Sequence, residues 1–121
     1  MFVVIAGGGR TGAQLARYLF DEGHQVSLVE DRKEVLARIH KELPTELIFS
    51  GNPMDPRVLE QVGIQQAQVF AATTTSDEMN LSLCYFVREK YKIGRTIGRV
   101  NNPRNAWLFN EMFNVDVAIN Q

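Results

Sequence analysis

The sequence predicts an α/β fold: a parallel six-stranded sheet, doubly wound by helices into three αβα layers. Three observations predict it. Short apolar runs rich in Val, Ile and Phe recur along the chain. Segments with apolar residues at helical spacing separate them. A glycine-rich turn, Gly7–Gly12, stands between the first run and the first helical segment. Strands that alternate with helices imply right-handed crossovers and a parallel sheet. Near-continuous hydrophobicity in each run fits strands buried on both faces.

The elements follow in order. Phe2–Ala6 opens the chain as a strand, and Thr11–Glu22 is a helix with Ala13, Leu15, Ala16 and Leu19 at helical spacing. Gln25–Val29 is the second strand, followed by a helix over Arg32–Leu43 carrying Val35, Leu36, Ile39 and Leu43. Leu47–Phe49 is the third strand. Asp55 then reads as an N-cap with Pro56 at the first helical position, opening a short helix through Val62. Val69–Ala72 is the fourth strand, and Asp77–Tyr91 is a long helix that Ser76 or Asp77 can cap. Thr96–Val100 is the fifth strand. Pro103–Phe113 reads as a last helix, and Val115–Ile119 as the sixth strand.

Six strands in two βαβαβ halves give the Rossmann-type order 3-2-1-4-5-6. The competing arrangement is a five-stranded flavodoxin-like order. In the six-stranded case the ligand crevice opens at the carboxyl ends of the first and fourth strands, where the order reverses. The loops that line it are Gly7–Gly12 and Thr73–Ser76.

Composition narrows the function. The 121 residues, 45% hydrophobic and 22% charged, fit a single domain over 1–121. A net charge of −1 argues against a nucleic-acid binder or a polybasic membrane surface. One cysteine rules out an internal disulfide scaffold and a Cys-rich metal site. No apolar run approaches a membrane span, and the apolar start lacks the basic residues of a signal peptide. The expectation is a reduced, cytoplasmic domain.

The turn reads G-x-G-x-x-G at Gly7, Gly9 and Gly12. The first glycine permits the tight turn, the second lets backbone approach a pyrophosphate, and the third allows close helix–strand packing. The helix N-terminus adds free N–H groups and positive dipole. The second strand ends in Val29-Glu30-Asp31, about 20 residues on, where an acid bonds the ribose hydroxyls. Glu30 is the candidate, and Asp31 suits the cap of the helix starting near Arg32. A carboxylate there disfavours NADP, although Arg32 and Lys33 beside it work the other way. Arg10 and Arg99 are placed to meet phosphate charge. Thr73 to Ser76 offer hydroxyls to phosphate or ribose, or serve as ordinary turn chemistry.

No catalytic residue stands out. His24 enters the second strand at the far end of the sheet, and His40 lies on a flanking helix. Cys84 falls among Leu81, Leu83, Tyr85 and Phe86, which suits a buried thiol. No cluster has metal-ligand spacing. Two segments, Leu81–Val87 and Ala106–Phe113, are apolar nearly all round as helices. That pattern suggests a subunit interface over extra core packing.

Beyond these residues the sequence resembles the RCK (regulator of potassium conductance) N-terminal domain, also called TrkA-N or KTN. The resemblance spans essentially the whole chain. It rests on Ile5-Ala6-Gly7-Gly8-Gly9-Arg10-Thr11-Gly12, on Val29-Glu30, and on Gly51 with Asp55 nearby. It continues through Ala72-Thr73, Asp77-Glu78 with Asn80-Leu81, and Arg99-Val100-Asn101-Asn102-Pro103. It implies a cytoplasmic module, peripheral to the inner face of the cell membrane, that gates a potassium channel or uptake transporter. It implies binding of NAD or NADH, with ATP, ADP or AMP as alternatives, and no catalysis. The implied partners are the transporter's membrane subunit and further copies of the chain, in a homodimer or a higher ring.

The ligand positions carried over are Gly7, Gly9, Arg10, Thr11, Gly12, Glu30, Asn52, Thr73 and Arg99. One departure is Asn52, where the family usually has Asp. It can still hydrogen-bond an adenine edge. A second is the expected absence of the family's C-terminal RCK domain. Two other readings compete: the NAD-binding domain of an oxidoreductase whose substrate domain is missing, and a dimerisation module whose glycine turn holds nothing.

Overall fold

The computed structural model describes residues 1–120; Gln121, the last residue of the single expected domain, lies outside the described residues. Six parallel strands form one sheet in the order β3-β2-β1-β4-β5-β6. They are β1 (Phe2–Ala6), β2 (Gln25–Glu30), β3 (Ile48–Ser50), β4 (Val69–Ala72), β5 (Arg95–Val100) and β6 (Val117–Asn120). The order is the Rossmann-type one that alternation predicts. β1 registers with β2 from Phe2 opposite Gln25, and with β4 from Val3 opposite Val69.

Side chains alternate between two cores. Val3, Ile5, Val26 and Leu28 face the helices α1 (Arg10–Asp21) and α2 (Lys33–Glu42). Val4, Ala6, Val29, Phe70 and Ala72 face α3 (Pro56–Gln61) and α4 (Asp77–Tyr91). Val4, Ile5, Ala6, Phe70, Ala71 and Ala72 have no exposed surface. The central strands are therefore wet on neither side, the usual condition of a parallel sheet.

The caps obey their local chemistry. Asp55 accepts from the N–H of Arg57, with Pro56 at the first turn. Ser76 caps α4 by accepting from the N–H of Met79. Asp77 is therefore free for another task. α1 buries Gly12, Ala13 and Ala16, small residues that let it lie close to the sheet.

Two expectations need correction. Pro103–Phe113 is not one helix. It forms two 3-10 stretches, Pro103–Leu108 and Glu111–Phe113. Asn110 separates them, accepting from the N–H of Met112 and donating to the carbonyl of Trp107. Asx side chains compete with helical backbone bonding in this way. β6 also begins later than expected, because Asn114 takes a left-handed turn (φ 59°) and Val115 drops into the core.

The apolar segments divide accordingly. Leu81, Leu83, Cys84 and Val87 are core, while Tyr85, Trp107 and Met112 lie outside. Packing inside the domain thus accounts for most of the first segment.

Candidate functional site

The carboxyl ends of β1, β2 and β4 meet in a cleft of about 220 Å³. It is lined by Gly7, Glu30, Asp31, Arg32, Pro53, Thr74, Thr75 and Met79. Both expected loops contribute.

The glycine turn is shaped by contact. Gly7 sits at φ +110°, and a Cβ there would come within 2.8 Å of the Thr73 and Thr74 backbone. A Cβ on Gly12 would lie 1.9 Å from the Gly7 carbonyl oxygen and 2.7 Å from Thr73 Oγ1. By contrast, a Cβ on Gly9 would meet only Arg32 Nη2, at 3.8 Å. The first and third glycines thus serve packing inside the protein, and the second faces open space where a ligand's backbone contact belongs.

Thr73 is buried, and its hydroxyl donates to the carbonyl of Gly7 at 2.8 Å. It ties β4 to the loop after β1. Thr74 and Thr75, not Thr73, reach the cleft wall.

Glu30 is 2% exposed at the end of β2. Five N–H donors converge on its carboxylate. Gly8 N donates at 2.7 Å, Asp31 N at 3.0 Å and Arg32 N at 2.8 Å. Arg32 adds Nε at 2.9 Å and Nη2 at 3.1 Å. Burial pushes the Glu30 carboxyl up, but the hydrogen bonds from Arg32 and Gly8 outweigh it and hold the group below its ordinary value. Asp31 does not cap α2, as the sequence suggested. Its own N–H turns back to Glu30, which also takes the N–H of Arg32, the residue at the cap position. The carboxylate that ends β2 curls under the start of the helix.

Behind the cleft, Asn80 and Asp77 hold the loops. Asn80 Oδ1 accepts from the Thr74 N–H at 3.0 Å and the Thr74 hydroxyl at 2.7 Å. Its Nδ2 donates to the carbonyls of Thr74 and Arg99. Asp77 accepts from the N–H groups of Asn101 and Asn102 and from the side chains of Asn101 and Asn105. Desolvation raises its pKa, but these bonds win and lower it. The Asp-Glu-x-Asn and Arg-Val-Asn-Asn-Pro stretches are thus one device, which pins α4 to the loop after β5.

The remaining candidates lie apart. Arg10 does not line the cleft. It lines a roomier hollow of about 330 Å³ between α1 and α2, with Arg17, Arg38 and Glu42. That hollow is outside the strand-end crevice and gathers none of the other candidates. Thr11 is half-buried beside Gly12. Asn52 is exposed next to Pro53, its Oδ1 accepting from the N–H of Met54. Arg99 is half-buried on β5, and its Nε is shut off from solvent without a hydrogen-bond partner. A phosphate or carboxylate oxygen supplies what such a group lacks.

Two contacts were missed by sequence reasoning: the Arg32–Glu30 pair, and Arg38 Nη2, which donates to the Gly8 carbonyl at 2.9 Å. The first had a signal, an arginine two residues after the strand-end acid. The second pairs residues 30 apart and had none.

The residues fit an adenine nucleotide. Gly9 leaves the loop open, Glu30 is held ionised at the end of β2, and Arg99, outside the cleft lining, has an orphaned donor. Among the described residues, Glu30, Asp31 and Arg32 are the titratable groups lining the cleft. His24 lies in the turn before β2, against the N-terminal amine, and Cys84 is buried behind β5.

The TrkA-N domain profile matches residues 3–121. The chain is 43% identical over 112 residues to the Trk system potassium uptake protein TrkA homolog of Methanothermobacter thermautotrophicus, covering 93% of this chain and 51% of that protein. It therefore spans about half the length of that curated relative. Two solved structures share its fold: GsuK bound to ADP, with a TM-score of 0.83 at 21% identity over 98% of this chain and 30% of that one, and the GsuK channel bound to NAD, with a TM-score of 0.83 at 21% identity over 98% and 20%.

Proposed function

The chain belongs to the TrkA-N domain family, and from that premise we propose that it is a nucleotide-sensing regulatory module of a potassium channel or uptake transporter. The observation that carries the reading is the strand-end cleft, which sets an open glycine loop, a buried ionised Glu30 and hydroxyl-bearing Thr74 and Thr75 around one space. The loop Gly7–Gly12 takes the phosphates and Glu30 the ribose. Asn52 takes the adenine edge. Arg99, with its unpartnered Nε, meets the terminal phosphate, Thr73 fixes the loop from behind, and Arg10, which faces the hollow between α1 and α2, is not assigned a contact. The ligand is NAD or NADH, or alternatively ATP, ADP or AMP.

The module works by shifting a conformational equilibrium, not by turnover. Ligands must bind two arrangements unequally, because equal binding shifts nothing. The oxidoreductase reading is not favoured. Glu30 is saturated with donors and held ionised, so it is poorly suited to take a proton from a substrate. The module acts in the cytoplasm beside the transporter's membrane subunit, as a homodimer or ring. Exposed Tyr85, Trp107 and Met112 supply the contact surface.

The test is a melting panel with NAD, NADH, ATP, ADP, AMP and NADP. A ligand at about 100 times its Kd stabilises by about 2.7 kcal/mol, which raises Tm by roughly 10 °C for a domain this size. Unequal shifts among the adenine nucleotides, with none from NADP, are expected. No shift from any of them would refute the reading.

A further inference from the structure

The geometry points to Arg32 as a built-in competitor for the ribose: its guanidinium occupies the Glu30 carboxylate that a nucleotide's diol must reach, and the ligand binds by displacing it. This rests on the nucleotide reading above and adds the residue that sets its affinity.

The argument is a count of acceptor sites. A carboxylate offers about four lone pairs, and five donors already converge on Glu30. None is left for two ribose hydroxyls. Three of the donors are backbone N–H groups of Gly8, Asp31 and Arg32, fixed by the glycine loop and the start of α2. Only the two from the Arg32 side chain can leave, and by the same count their departure frees about one site, enough for one hydroxyl of the diol. That side chain is 37% exposed, while Glu30's is 3% exposed, so the arginine can swing into water and the carboxylate cannot.

The position of Arg32 agrees. Its Nη2 is the one atom near where a Cβ on Gly9 would sit, so the guanidinium lies across the mouth of the loop. The cleft it helps to line, about 220 Å³, falls below the roughly 300–1,000 Å³ of ordinary ligand pockets. A displaced Arg32 enlarges it. Losing a bidentate ion pair offsets part of what the diol contributes, so the resting affinity for a ribose is lower than the pocket alone allows.

The test compares ADP with 2′,3′-dideoxy-ADP by titration calorimetry on the whole chain, as wild type, Arg32→Ala and Arg32→Gln. Tm is measured first to verify folding. Arg32→Gln retains one neutral donor, and serves if Arg32→Ala does not fold. Removing the guanidinium is expected to tighten ADP roughly tenfold, the scale of one charge-assisted hydrogen bond, and to leave dideoxy-ADP unchanged. ADP binding that appears only in the variants also supports the displacement. An equal change for both ligands, no change, or weaker ADP binding overturns it while the nucleotide reading stands. If no protein binds either ligand, the displacement falls, and the nucleotide reading falls with it when NAD, NADH, ATP and AMP also leave Tm unmoved.

Discussion

Gly12 and Asn80 define the corner where the glycine loop meets β4. A methyl group on Gly12 would overlap the Gly7 carbonyl, which is backbone and cannot rotate aside. Helix α1 must lift instead. Gly12→Ala is therefore expected to cost about 3 kcal/mol in urea unfolding, a loss that no surface repacking recovers. Asn80 fills all four of its hydrogen-bonding positions, two as acceptor and two as donor. Asn80→Ala leaves the Thr74 N–H and the Arg99 carbonyl unpaired, at about 2–3 kcal/mol. Asn80→Asp turns acceptors toward two carbonyls and is expected to be no milder. Burial pushes the Cys84 thiol up to about 12. Native protein at pH 8 should thus resist alkylation, and the thiol should react once denaturant unfolds the chain.

Between elements, carboxylates do the joining. Glu30 fastens β2 to the start of α2, Asp77 fastens α4 to the loop after β5, and Asp116 fastens the start of β6 to Thr96 and Arg88. Each has a folded pKa below its ordinary value, net of desolvation that pushes the other way. The unfolded chain then takes up protons more readily than the folded one. These contributions are complete above the ordinary values, 4.5 for Glu30 and 3.8 for the two aspartates. They vanish as pH falls through the lower folded values. Tm should hold from neutral pH down to that range and then drop, and Asp77→Asn should flatten part of the drop.

At this scale the sequence could be read where pattern and caps agree. Ser76 ahead of Asp77 starts α4 at the expected residue, and Pro56 behind Asp55 starts α3. It could not be read where a side chain chooses between partners. Asn110 looked like a helical residue and instead bonds Trp107 and Met112. Glu30 was legible by its distance from the glycines. That Arg32 would close on it depends on rotamers in a two-residue turn, which periodicity does not encode.

Across the whole molecule, exposed apolar residues occur in both halves, Tyr18, Phe20 and Phe49 in the first and Tyr85, Trp107 and Met112 in the second. Tyr85 packs edge-on to Phe113, next to exposed Met112, and Trp107 is 66% exposed. If copies of the chain associate there, Trp107→Glu with Met112→Glu should convert dimer to monomer in sedimentation velocity and leave the monomer's circular dichroism intact. The two halves of the sheet were legible because each is a repeated strand–helix unit. The outer surface of the second half was not, because its last helix dissolved into 3-10 turns.

The neighbour of β1 on its far side is β4, from the other half of the chain. The bond that closes the glycine loop, Thr73 to Gly7, joins residues 66 apart. As the protein emerges from a ribosome, β1, β2 and β3 can pair early, but the loop has no roof until Thr73 has cleared the exit. Distant pairings of this kind fold late and slowly. The nascent first half therefore carries every residue of the glycine motif without yet having a place to put a nucleotide.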